Sequence, residues 1–194
     1  MSRSRKQKTY KLSFNAPIVI AFALISVGAF ILEWTTGVTN GLLFSVYRSS
    51  LRDVFTYFRF VGHVFGHQNL SHILNNMMML LLLGPIVEEH FGHGFTALSI
   101  LAVALATGIV HFILFPHTAL LGASGVVFAF IIMSSAIGLR KHEIPITFIL
   151  VAILYLGEQI VDALFVKDSI SQLTHIIGGI VGGVMAIIDT KRQA

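Results

Sequence analysis

Six apolar stretches, parted by short charged or glycine-bearing joints, leave this chain few ways to fold. They run over residues 16–32, 69–87, 95–115, 121–139, 144–165 and 170–188. The first holds seventeen uncharged residues, Ala16 to Leu32, and about 17–25 apolar residues are needed to cross a bilayer as a helix. Only 11% of the 194 residues are charged and 55% are hydrophobic, whereas a soluble domain carries about a quarter charged. The expected fold is therefore an all-α membrane protein, a compact bundle of six transmembrane helices over 16–189 with a long interfacial first loop. A basic tail (1–15) precedes it and a short basic tail (190–194) follows. The chain contains no cysteine, which excludes a disulfide framework and a thiolate metal site.

Charge placement supplies the topology. Arg3, Arg5, Lys6, Lys8 and Lys11 precede the first stretch, and no acid appears before Glu33. A cleavable signal peptide has a similar charge order but a shorter apolar core; with Glu33-Trp34 as an interfacial pair, a retained first helix is expected. Six spans put both termini on one side. With the tails inside, nine Lys and Arg lie inside, Arg140, Lys141, Lys191 and Arg192 among them, against Arg48, Arg52, Arg59 and Lys167 outside. The positive-inside rule then makes both termini cytoplasmic, as in a prokaryotic inner membrane. The inner loop 88–94 has neither Lys nor Arg. The net charge of +4 sits in the tails and one loop, so it reads as topology rather than as a nucleic-acid footprint.

Residues 35–68 combine Arg48, Arg52, Asp53 and Arg59 with Phe55, Tyr57, Phe58, Phe60 and Phe65. That mixture suits a loop in the headgroup zone, rings in the interface and guanidinium groups at phosphates.

Polar residues then converge in depth. Ser124 opens the fourth stretch within Leu121-Gly122-Ala123-Ser124-Gly125-Val126, and His175 lies near the start of the sixth. His72 and Asn76 occupy the first turns of the second. All three stretches run inward, and at about 1.5 Å per residue the four side chains fall in the outer third of the bilayer. His175, Gly178 and Gly182 share one helical stripe, and small residues there let two membrane helices approach closely. Ser124 and Phe128 form a facing stripe beside Gly125 and Ala129, with Phe128 as a floor for the His175 ring. A serine needs a base, for which His175 is the candidate. His72, Asn76 and the Ser124 backbone N–H are candidate donors to an oxyanion.

His63-x3-His67-x4-His72-x3-Asn76, Gly122-Ala123-Ser124-Gly125 and His175-x2-Gly178-x3-Gly182, in that order, resemble the rhomboid intramembrane serine proteases over roughly residues 45–189. The resemblance implies that Ser124 is the nucleophile and His175 its base, a dyad without an aspartate, and that His72 and Asn76 help form the oxyanion hole. Phe128 stands where many members carry tyrosine, and Phe58-Arg59 where the first loop often reads Trp-Arg. Glu88 matches an acid at the inner end of the second helix, to which a structural role is assigned. The substrates implied are transmembrane proteins, with a small residue before the cut and helix-breaking residues beyond it. No cofactor is required.

Two other classes stand beside this reading. Nine histidines with Glu158 and Asp162 could serve a metal or proton transporter, although His-Glu-x-x-His is missing and the intramembrane acids are few. A non-catalytic rhomboid-like module that binds membrane proteins would usually lack the serine or the histidine. An α/β-hydrolase is excluded because Val126 occupies the last glycine of Gly-x-Ser-x-Gly. His63, His67 and His111 are expected to be structural hydrogen-bonders, and His117 a loop residue.

Overall fold

The computed structural model describes residues 15–137 and 169–193, with isolated helical positions at 146, 149, 150 and 153. Apart from these positions, the fifth stretch, with Glu158 and Asp162, lies outside the described residues, as do the basic N-terminal tail, Arg140-Lys141-His142 and Lys167-Asp168.

Helix α1 (Pro17–Thr36) begins with proline in its first turn, where a missing N–H costs nothing and φ is already helical. It ends at Gly37 (φ 68°), whose N–H donates to the Glu33 carbonyl at 2.7 Å. Its buried face is Val19, Phe22, Ala23, Ser26 and Ala29; Leu24, Ile25, Ile31 and Leu32 point outward, as a lipid-facing stripe requires. A short helix α2 (Val54–Gly62) is capped by the Asp53 carboxylate, which accepts from Phe55 N–H at 3.0 Å. Helices α3 (Leu70–Phe91) and α4 (His93–Leu114) follow, then α5 (Ser124–Ser135) and α6 (Ser169–Gln193).

Among the described residues, α1, α3, α4 and residues Gln172–Arg192 of α6 are long and apolar enough to cross a membrane, and α5 is a shorter apolar helix. The chain is thus an integral membrane protein built as a helical bundle. Helix α5 packs against α3, α4 and α6. Gly125, Val126, Val127, Ala129, Phe130, Ile132 and Met133 are all buried, the all-round pattern of a helix inside its bundle. That central position explains how twelve residues form a stable helix.

Helix ends differ from the apolar limits. The sequence suggests a joint at Glu88-Glu89-His90, but α3 runs through it to Phe91 and the chain breaks only at Gly92 (φ 83°). Charge ends an apolar stretch; it does not end a helix. Glu88 is 1% exposed, and its carboxylate accepts from the backbone N–H groups of Ile18 and Val19, each at 2.9 Å. These are orphan donors of the first turn of α1, which Ala16 cannot cap with a side chain. His93 Nδ1 completes the set, 2.6 Å from Glu88 Oε1. One acid thereby ties α1, α3 and α4 together. Glu88→Ala is expected to cost about 2–4 kcal/mol by stranding two backbone donors, one buried and one partly buried, and Glu88→Gln less. An unchanged unfolding midpoint for Glu88→Ala in detergent would refute this capping role.

The first loop also departs from expectation. Arg59 is 3% exposed rather than at lipid phosphates. It donates to Asp53 Oδ2 and Ser49 Oγ at 2.9 Å, Thr56 Oγ1 at 3.0 Å and the Leu42 carbonyl at 3.3 Å. The Tyr47 ring covers it at 4.6 Å. Arg48 donates to the Ile113 carbonyl at 2.8 Å, at the end of α4. Five fixed donors suit a loop with many free carbonyls and hydroxyls, so these two arginines satisfy protein before lipid. Arg52 is exposed. The aromatics divide likewise: Phe55, Tyr57 and Phe58 are exposed, whereas Phe60 packs on Phe112 and Phe65 on Phe22.

Candidate active site

Ser124 is the first residue of α5, half-buried, with its backbone N–H in the first turn. Three contacts pin the loop that delivers it. Val46 and Leu120 exchange both backbone hydrogen bonds at 2.9 Å. Gly122 N–H donates to the His63 carbonyl at 2.9 Å. Gly122 itself adopts φ 129°, a conformation that L side chains rarely take.

Across this loop stands the first part of α3. A Cβ built on Gly122 would lie 2.8 Å from both Cε1 and Nε2 of His72 and 3.9 Å from Nδ2 of Asn76. Imidazole and amide therefore converge on the backbone two residues before Ser124, and the missing side chain leaves them room. Asn76 is 7% exposed, and its Nδ2 has no hydrogen-bond partner. Asn75 is exposed. The start of α3 is fixed by Asn69, whose Oδ1 accepts from His72 N–H at 2.9 Å. This cap was available in the sequence as an asparagine three residues before the histidine, and the sequence reading missed it.

Helix α6 closes the other side. A Cβ at Gly178 would collide with the Gly125 carbonyl, and one at Gly182 would lie 2.5 Å from the Ala129 carbonyl oxygen. Backbone thus meets backbone along two turns, the close approach that small residues permit. The Thr174 methyl lies 3.4 Å from where a Gly125 Cβ would be. The half-buried His175 ring packs on Phe128, centroids 4.1 Å apart and planes at 36°. Phe128 is one turn beyond Ser124 on α5. The structure therefore brings Ser124, His175, His72, Asn76, Gly122, Gly125 and Phe128 to one end of the bundle, with Gly178 and Gly182 in the α5–α6 seam that runs inward from it.

The remaining histidines support this framework. His63 is buried, with Nδ1 3.2 Å from the Arg59 carbonyl and Nε2 3.2 Å from Thr107 Oγ1. His67 pairs Nδ1 with the Phe65 carbonyl at 3.1 Å and meets the His72 ring edge to face at 5.0 Å. His111 Nε2 is 3.2 Å from the Thr118 carbonyl, and His117 is exposed. Among the described residues, no group of three or more His, Cys, Asp or Glu is placed to hold a metal ion.

Burial pushes both loop histidines, His63 and His67, down to about 4; His111 adds to the effect on His63, and His72 to that on His67. Both are neutral when folded at pH 7. Unfolding returns them toward 6.5, so the unfolded chain binds more protons between those values. The stability they confer is complete above pH 6.5 and declines as pH falls toward 4. Thermal unfolding midpoints should drop across that window, and His63→Gln should flatten the slope. An equally steep slope in the variant would remove His63 from the account.

Residues 54–192 match the family described as the Rhomboid domain. The chain belongs to the rhomboid family. It is 31% identical over 134 residues to rhomboid-related protein 1 of Caenorhabditis elegans, covering 64% of this chain and 37% of that protein. It is also 27% identical over 182 residues to rhomboid protease GlpG of Yersinia pestis (strain Pestoides F), covering 92% of this chain and 64% of that one. GlpG of Yersinia pseudotuberculosis serotype O:3 matches to the same extent. The chain thus spans 37% to 64% of the length of these curated relatives.

Proposed function

We propose that this chain is an intramembrane serine protease that cuts transmembrane proteins near the outer face of the bilayer, with Ser124 as nucleophile and His175 as its base. The observation that carries the reading is the convergence at one bundle end: a serine opening a helix, an imidazole seated on the same helix, and two donors facing the preceding loop. Family membership and the protease name of the Yersinia relatives support it.

His175 takes the Ser124 proton as the hydroxyl oxygen attacks the scissile carbonyl carbon. The resulting oxyanion is held by His72, Asn76 and the Ser124 backbone N–H. His175 returns the proton to the leaving amine, and water hydrolyses the acyl-enzyme by the same steps. The substrate helix unwinds first, because a helical peptide bond is shielded from attack. A small residue before the cut and helix-breaking residues beyond it complete the substrate class. The charge bias places both termini in the cytoplasm and opens the site outward.

A fluorophosphonate probe tests the assignment in detergent. Wild-type protein should be modified on Ser124, located by peptide mass spectrometry, and Ser124→Ala should not react. Substrate cleavage by protein whose Ser124 stays unmodified, unslowed by the probe, would overturn the proposal.

A further inference from the structure

Among the described residues, two carboxamide nitrogens are buried without a hydrogen-bond partner: Nδ2 of Asn76 and Nε2 of Gln172. Both stand beside the proposed dyad, and the mechanism above uses only the first. Gln172 is half-buried near the start of α6, three residues before His175, and residues at that spacing share a helix face. At about 100° per residue, Gln172 lies about 60° to one side of His175 and Thr174 about 100° to the other. The Thr174 side is occupied by α4, because the Thr174 methyl, the Thr107 methyl and a Val103 methyl all surround the place of a Gly125 Cβ, at 3.3 to 3.4 Å. Gln172 therefore sits on the flank of His175 turned away from α4.

We propose that Gln172 binds the substrate, its amide donating a hydrogen bond to a main-chain carbonyl next to the scissile one; this rests on the protease reading above. An amide nitrogen can only donate, so whatever completes Gln172 brings an acceptor. An unwound substrate brings several. Each carbonyl released from a helix at membrane depth needs a new donor, since lipid supplies none. In an extended, pleated strand successive carbonyls point to opposite sides. With the scissile carbonyl turned to Asn76 on α3, the adjacent one is turned toward α6, where Gln172 stands one turn from His175. Every peptide has this acceptor whatever its side chains. The contact thus fixes the register of the strand against Ser124 and stabilises its unwound form.

Gln172→Met keeps the length of the side chain and removes the donor. The full chain in detergent is given a transmembrane peptide with one cut site. Two analogues replace the carbonyl one residue before, or one residue after, the scissile carbonyl by a thioamide, a weaker acceptor. On the parent peptide Gln172→Met should lose about tenfold in kcat/KM, the worth of one hydrogen bond. Wild type should cut one of the two thioamide peptides several-fold more slowly than the parent, whereas Gln172→Met should cut that analogue and the parent alike, since each change removes the same contact. The unfolding midpoint should hold, because the resting protein loses no hydrogen bond made by Nε2. Unchanged cleavage of the parent peptide by Gln172→Met would leave the donor to a fixed water and overturn the proposal. Losses that multiply for both analogues, or a lowered midpoint with equal loss on all three peptides, would make Gln172 structural and overturn it too. Wild type that neither cuts the parent peptide nor takes a fluorophosphonate on Ser124 would instead fail the protease reading and carry this proposal down with it.

Discussion

Ser124→Ala and His175→Ala are each expected to lower kcat for a transmembrane substrate by roughly 10⁴-fold or more, with KM little changed. The serine variant is the cleaner of the two. Ser124 is half-buried at the head of α5, and alanine is a good helix former, so removing one oxygen leaves the bundle intact. His175→Ala also loses a ring packed on Phe128 at 4.1 Å, so a modest drop in unfolding midpoint should accompany it. Because the two residues act as a unit in this mechanism, the double variant should be hardly worse than either single one. Ser124→Ala protein that still cuts the same bond would end the nucleophile assignment.

Asn76→Ala should reduce kcat by roughly 10²–10³-fold, the usual loss when one oxyanion donor is removed. The structure sharpens this expectation. Nδ2 of Asn76 is buried without a partner, so its removal breaks no hydrogen bond of the resting protein made by that group. Stability should therefore change far less than rate, which separates a donor awaiting its acceptor from a structural amide. His72→Ala should do comparable damage, and the double variant less than the product of the two, since in the proposed mechanism both address one oxygen. The neighbouring Asn75 is exposed, about 100° around the helix, and Asn75→Ala should be mild. A crippled Asn75→Ala beside a silent Asn76→Ala would sink the model.

Much of the framework was legible before any coordinates. Hydropathy is a property of a stretch taken alone, so the spans could be read directly. Four apolar helices of spanning length and the shorter α5 occupy five of the stretches among the described residues. The glycine stripe was legible for a related reason: Gly178 and Gly182 recur at helical spacing, and bare backbone repeated along one membrane helix face permits close approach. Their partners, Gly125 and Ala129, lay one position from Ser124 and Phe128. The asparagine cap at Asn69 was legible too, and simply overlooked.

Whatever depended on which segment arrives from elsewhere required the tertiary structure. Glu88 looked like the edge of a span; seventy residues earlier in the chain, the uncapped start of α1 turns it into a buried acceptor. Arg59 looked like a phosphate ligand until Asp53, Ser49, Thr56 and the Leu42 carbonyl enclosed it. The delivery of Ser124 rests on the His63 carbonyl and the Val46–Leu120 pairing, backbone groups that no side-chain motif encodes. The sequence by itself determined where helices can lie in lipid and which chemistries sit at one depth. The fold decided which polar groups find partners, because burial raises the cost of an unpaired charge or N–H and only packing says which ones are buried.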